Sequence, residues 1–178
     1  MTFLAWFLRL KFVLSLNSRE KMFRPGIIGG VVVRELVQHS DLRGWLAELF
    51  RRDELDASHH PQMAYLSVTG AGAVRGPHEH VDQTDLFCFI GPSRFNVYLW
   101  DNRKGSSTYR NRMVITAGDG EPKSILVPAG IVHAYKNVGS VEGTILNFPN
   151  RLYGGRGRKD PVDEVRHEDD PQTVFHVD

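Results

Sequence analysis

From Gly30 onward the chain is a succession of short runs rich in β-branched and aromatic residues, broken by glycine, proline or Asn/Asp clusters at intervals of roughly ten residues. Runs of that length suit strands and are too short for stable helices. The pattern predicts strands over 31–37, 45–51, 63–68, 73–78, 86–90, 94–100, 112–116, 124–127, 132–136 and 144–148, with one helical turn over 53–57. The breaks, among them Gly70-Ala71-Gly72, Gly91-Pro92 and Gly118-Asp119-Gly120, supply turn conformations closed to β-branched residues. No repeat of solenoid length is present, so the chain must close into an all-β sandwich or barrel.

Two polar motifs interrupt the apolar runs. In Val74-Arg75-Gly76-Pro77-His78-Glu79-His80, a strand turns the same face every second residue, so His78 and His80 point one way and Glu79 the other. Asp85 follows, just before the apolar Leu86-Phe87-Cys88-Phe89-Ile90. The second motif is Pro128-Ala129-Gly130-Ile131-Val132-His133, with Asn137 four residues on. Phe87, Phe89, Tyr98 and Trp100 alternate in strand fashion and are expected in the barrel core.

With 22 basic against 21 acidic residues, no general electrostatic pull toward nucleic acid or an acidic membrane exists, and an anion must be bound locally. The single Cys88 cannot form an internal disulfide, which suits a reducing cytoplasm. The apolar run from Met1 to Leu16 is too short and interrupted to span a bilayer and lacks a cleavage site, so no firm membrane association is expected. We expect an N-terminal extension over 1–21, ahead of an alternative start at Met22, and a single domain over 22–178. Gly154-Gly155-Arg156-Gly157-Arg158-Lys159 opens an irregular, charged tail, too polar to order alone, though Val174-Phe175 near its end invites docking.

In order, H-x-H-x4-D and P-x-G-x-x-H-x-x-x-N resemble the two motifs of the cupins, which are jelly-roll barrels. More narrowly, the chain resembles the dTDP-4-dehydrorhamnose 3,5-epimerase family of cupins over about residues 26 to 178. The stretch from Asp41 to Phe50 is similar to that family's D-x-R-G-x-x-x-E-x-F, Arg75-Gly76-Pro77-His78 to its R-G-x-H, 101–109 to its D-x-R-x-G-S-x-T-[FY], and Asp170-Pro171 to its D-P near the end. The resemblance implies an isomerase that removes a proton beside the ketone of a dTDP-linked 4-keto-6-deoxyhexose, without a cofactor, as a homodimer. It implies His78 as the base, Asp170 as its orienting carboxylate, and Arg43, Glu48, Gln62, Arg75 and His133 as substrate-binding residues. Such chemistry needs a base with a pKa near working pH and stabilisation of the enolate.

The chain departs from that family at two places. Asp85 stands where the family has a lysine, and Leu146 aligns with its catalytic tyrosine, while Tyr153 is displaced by several residues. His78, His80, Asp85 and His133 together are also the ligand types of a metal-binding cupin, suited to iron, manganese, zinc or nickel. The alternatives are therefore a metal-dependent oxygenase or sugar isomerase, a sugar-nucleotide 3,4-ketoisomerase, suggested by the histidine pair, and a non-catalytic ligand-binding cupin.

Overall fold

The computed structural model describes residues 22–178, so the expected extension over 1–21 lies outside the described residues. Its strands in chain order are β1 (Arg24–Pro25), β2 (Val32–Glu35), β3 (Gln38–Asp41), β4 (Gly44–Ala47), β5 (Tyr65–Thr69), β6 (Val74–Glu79), β7 (Asp85–Gly91), β8 (Arg94–Asp101), β9 (Asn111–Gly118), β10 (Lys123–Val127), β11 (Ile131–Asn137), β12 (Gly143–Asn147) and β13 (Val165–Arg166). Each predicted strand is matched, although β2 and β4 are shorter than expected, and the helical turn becomes two 3-10 turns, Arg52–Glu54 and Ala57–His59.

A six-stranded sheet in the order β1-β9-β8-β11-β6-β13 packs on a five-stranded sheet in the order β2-β10-β7-β12-β5. This is the jelly-roll barrel expected of a cupin; its central strands are buried almost throughout, with alternate side chains turned to opposite faces. On β8, Phe95, Val97 and Leu99 enter the core between the sheets, where they meet Phe87, Phe89, Ile125, Ile131 and Ile145. Tyr98 and Trp100 face the other way. Instead of filling the barrel, they form an outer cluster with Val132 and Ala134, which the C-terminal tail covers with Phe175. The tail thus borrows an apolar surface made by the barrel, and Tyr98 Oη and Lys136 Nζ anchor its last residue by donating to the Asp178 carbonyl.

The D-x-R-x-G-S-x-T stretch is a structural clamp. Asp101, fully buried at the end of β8, accepts from Arg103 N, Nε and Nη2, Ser106 Oγ and Thr108 Oγ1. Asn137 plays a similar part at the end of β11. It donates to the Thr69 and Val141 carbonyls and accepts from Ser93 Oγ and Gly139 N. Among the described residues β3 and β4 pair only with each other, forming a hairpin whose turn uses Gly44 at φ +132° and leaves Leu42, Trp45 and Leu46 exposed.

Candidate active site

Two neighbouring strands set the first pair of imidazoles side by side. His78 on β6 is in register with His133 on β11, and their ring centroids are 4.4 Å apart. Gly76 permits this approach: its φ is +78°, and a Cβ there would lie 2.6 Å from the His133 carbonyl oxygen. His80 follows the end of β6, with its ring centroid 5.6 Å from that of His78 and 5.7 Å from that of His133. One ring nitrogen from each of the three lies within 4.8 Å of the others.

Asp85 reaches the same point from the opposite sheet, where it opens β7. Its Oδ2 lies 3.1 Å from His80 Nε2 and 3.4 Å from His133 Nε2. Its Oδ1 accepts from the side-chain amides of Gln83 and Asn147, at 2.9 and 3.0 Å. His133 Nδ1–H donates to the Ile131 carbonyl, and His80 Nδ1–H donates to the Asp163 carbonyl, so each ring offers Nε2 to the centre.

Burial dominates the electrostatics. It pushes the His78 pKa well below the ordinary value, reinforced by His133 and His80, and it lowers that of His133 as well, so both rings are neutral near pH 7. For His80 the burial penalty is outweighed by Asp85 and the Asp163 carbonyl, which raise its pKa, and the same pairing holds the Asp85 carboxyl below its usual value despite its own burial. Burial drives the Cys88 thiol up to about 12, the inert state its place in an apolar run implied.

His78, His80 and Asp85 line a cavity of about 830 Å³. Tyr65, Arg75, Phe87 and Tyr135 line it from the barrel strands, and a second wall comes from the tail, including Tyr153, Asp163, Glu164 and Arg166. The segment whose composition suggested a solvated loop is therefore a wall of the cavity. The Asp163 carboxylate explains part of this: it accepts from the backbone N–H groups of Val81, Asp82 and Gln83, tying the tail to the turn after His80. Gln83, Asn147, Asp163 and Glu164 were not among the residues singled out from sequence. Asn147 ends a recognisable strand, but nothing local in the sequence marks its reach to Asp85.

Of the residues expected at the site, His78, His80, Asp85 and Arg75 line the cavity, and His133 packs against His78. The others lie elsewhere in the described chain. Arg43 is 90% exposed at the hairpin turn, bound to Asp41. Glu48 faces Arg51 at 3.7 Å, and Gln62 is exposed, its backbone N–H donating to the Pro149 carbonyl. Asp170 is not the carboxylate beside His78, because its Oδ1 caps a turn by accepting from Gln172 N. Glu164 takes that place, with Oε1 3.9 Å from His78 Nε2 and Oε2 held by the Arg166 guanidinium. Leu146 pairs with Leu66 across β12 and β5, whereas Tyr65 and Tyr153 meet edge to face at 6.4 Å on the cavity wall.

A family model described as dTDP-4-dehydrorhamnose 3,5-epimerase matches residues 26–147. The spore coat polysaccharide biosynthesis protein SpsL of Bacillus subtilis (strain 168) is 34% identical over 148 residues, which is 83% of this chain and 94% of that protein. A Haloferax volcanii protein described as "Probable low-salt glycan biosynthesis epimerase Agl13" is 34% identical over 128 residues, covering 71% of this chain and 81% of that protein. Among solved structures, NovW, a 4-keto-6-deoxy sugar epimerase from the novobiocin biosynthetic gene cluster of Streptomyces spheroides, superposes with a TM-score of 0.68 at 26% identity, covering 85% of this chain and 76% of that one.

Proposed function

This chain belongs to the dTDP-4-dehydrorhamnose 3,5-epimerase family, and on that premise we propose that its cavity inverts a carbon centre beside the ketone of a dTDP-linked 4-keto-6-deoxyhexose. The observation that carries the proposal is the convergence of ring nitrogens of His78, His80 and His133 within 4.8 Å of one another, with His78 and His80 lining a cavity of about 830 Å³. His78 is the most open of the three and is neutral, so it has a lone pair to accept a proton. Burial and the neighbouring rings depress its basicity, so its role as base requires Glu164 and the bound substrate to raise it. Glu164 beside it stabilises the imidazolium that forms, the role expected of Asp170 from the resemblance.

As the C–H bond breaks, its electron pair forms the enolate double bond and charge collects on the ketone oxygen. Inversion requires that a proton return to the other face. Tyr65 and Tyr153 line the cavity and are the hydroxyl groups suited to return it. Inversion that persists in a Tyr65→Phe/Tyr153→Phe double variant would rule both out.

Arg75, Arg151, Arg156 and Arg166 line the same cavity, and guanidinium groups suit the nucleotide diphosphate because their planar forks donate paired hydrogen bonds. The proton transfers themselves call for no organic cofactor. Two copies pairing through the exposed hairpin would cover Leu42, Trp45 and Leu46 and carry Arg43 and Glu48 away from their own cavity toward the partner. A monomeric mass in light scattering would remove that part of the proposal. The lone, buried Cys88 supports a cytoplasmic setting, and among the described residues no helix is long and apolar enough to cross a membrane.

Incubation with dTDP-4-keto-6-deoxyglucose, followed by borohydride trapping and NMR, is expected to give sugars inverted at C3, at C5 or at both. Unchanged stereochemistry across dTDP- and UDP-linked 4-keto-6-deoxyhexoses would overturn the assignment.

A further inference from the structure

Three features of the imidazole cluster are left unexplained by proton transfer alone. His133 Nε2 is buried, its residue 2% exposed, and has no hydrogen-bond partner, while Asp85 Oδ2, its residue 1% exposed, has only the His80 and His133 ring nitrogens beside it. A buried polar atom without a partner is costly, and this one faces the Asp85 carboxylate and the His80 ring. Next, the Nδ1–H groups of His80 and His133 are both occupied by backbone carbonyls, those of Asp163 and Ile131, so both Nε2 atoms face Asp85. That of His80 also lies 3.1 Å from the Gln83 amide nitrogen, which an ion would displace. Outer bonds of this kind orient imidazoles that ligate metals. Finally, Oδ2 stands 3.1 and 3.4 Å from the two Nε2 atoms. Ligand atoms bound at about 2.1 Å lie roughly 3.0 Å apart in octahedral geometry and about 3.4 Å apart in tetrahedral geometry.

The geometry points to a divalent transition-metal site in which His80 Nε2, His133 Nε2 and Asp85 Oδ2 are the ligands, with a His78 ring nitrogen within 4.8 Å of those of the two histidines. Two imidazoles and a carboxylate suit iron(II), manganese(II), cobalt(II), nickel(II) or zinc, and do not suit calcium or magnesium, which prefer all-oxygen sets. Gln83 and Asn147 donate to Asp85 Oδ1 and hold the other carboxylate oxygen toward the ion. Asp85 occupies the position where the family resemblance led us to expect a lysine. An ion held by Asp85 would restore positive charge at that place, next to His78, and would supply Lewis-acid stabilisation to an enolate oxygen. This last role rests on the function proposed above, whereas the binding site does not.

Cobalt(II) titration of the full chain, stripped of metal with a chelator, tests the site without any substrate. The expected result is one cobalt ion per chain with visible d–d absorption, displaced by zinc, and lost in Asp85→Asn and in His133→Ala. Asn147→Ala, which touches only the carboxylate, is expected to weaken binding by roughly 10- to 100-fold. Far-UV circular dichroism checks that each variant is folded, and the wild-type stoichiometry needs no variant at all. Absence of cobalt binding in the folded wild type, or binding unchanged in the folded Asp85→Asn and His133→Ala proteins, would overturn the proposal. A chain that binds cobalt without epimerising any keto sugar refutes the enzymatic assignment alone, and one that epimerises fully after metal removal refutes the enolate role of the ion.

Discussion

Replacing His78 with asparagine is expected to lower kcat/KM for epimerisation by roughly 10³-fold or more, because a positioned general base contributes about 10²- to 10⁴-fold. Asparagine fills a similar volume and keeps a polar group at the cavity, but it cannot accept a proton from carbon. Steady-state assay of the folded variant measures this directly, and a loss below tenfold would remove His78 from the role of base. The neighbouring carboxylates sharpen the test. Glu164 stands 3.9 Å from the His78 ring, while Asp170 is committed to a turn through Gln172 N. Glu164→Gln is therefore expected to lower kcat about tenfold and to alter the pH profile, and Asp170→Asn to leave both near wild type. The reverse order would restore the assignment made from the sequence motif.

The second large effect concerns stability. Asp101→Ala is expected to cost about 3–5 kcal/mol, because it removes the carboxylate of a buried ion pair and strands the Arg103 guanidinium and two hydroxyl donors. For a domain of this size that corresponds to a fall in melting temperature of roughly 10 °C. The pH dependence carries a further sign. Burial opposes ionisation of Asp101, but the Arg103, Thr108 and Ser106 hydrogen bonds outweigh it, so its folded pKa lies below the ordinary value of 3.8. Its stabilising contribution is then complete above the unfolded pKa and is lost as pH falls toward the folded one. Wild type should lose stability on acidification through this window more steeply than Asp101→Asn does. A melting temperature within 2 °C of wild type for Asp101→Ala would show that the clamp contributes little.

How much of this was legible in the sequence varies with the range of the forces involved. The longer strands were visible because alternation such as Phe95, Val97 and Leu99 inward against Tyr98 and Trp100 outward is a property of a few consecutive residues. Alternation does not say what lies on each face, which is why Tyr98 and Trp100 were expected in the barrel core and lie instead under Phe175. The two-residue strands Arg24–Pro25 and Val165–Arg166 carry no pattern of their own. They exist because β9 and β6 offer them edges.

For the site, the H-x-H spacing and the second motif carried His78, His80 and His133, since a strand fixes which face they share. The register of His133 with His78 and the reach of Asp85 from the opposite sheet depend on closure of the barrel. The tail misled composition-based reasoning for the same reason. Its charged, Gly-rich stretch cannot order itself alone, but Asp163 finds three backbone donors in the turn after His80, and Phe175 finds a ready apolar face. Arg43 lies at the hairpin turn and Glu48 just after β4, and among the described residues neither lines the cavity of its own chain, so a motif that names them as ligands describes at most a site shared between copies.

The most direct test of the central claim, that this cluster of imidazoles takes a proton from carbon next to a ketone, is solvent exchange. Wild-type protein and His78→Asn are incubated in D₂O with dTDP-4-keto-6-deoxyglucose, and incorporation is read by proton NMR and mass spectrometry. The account predicts deuterium at a carbon adjacent to the ketone with wild type and only the uncatalysed rate with the variant. No catalysed exchange by the wild type at either neighbouring carbon, or equal exchange by both proteins, would contradict it.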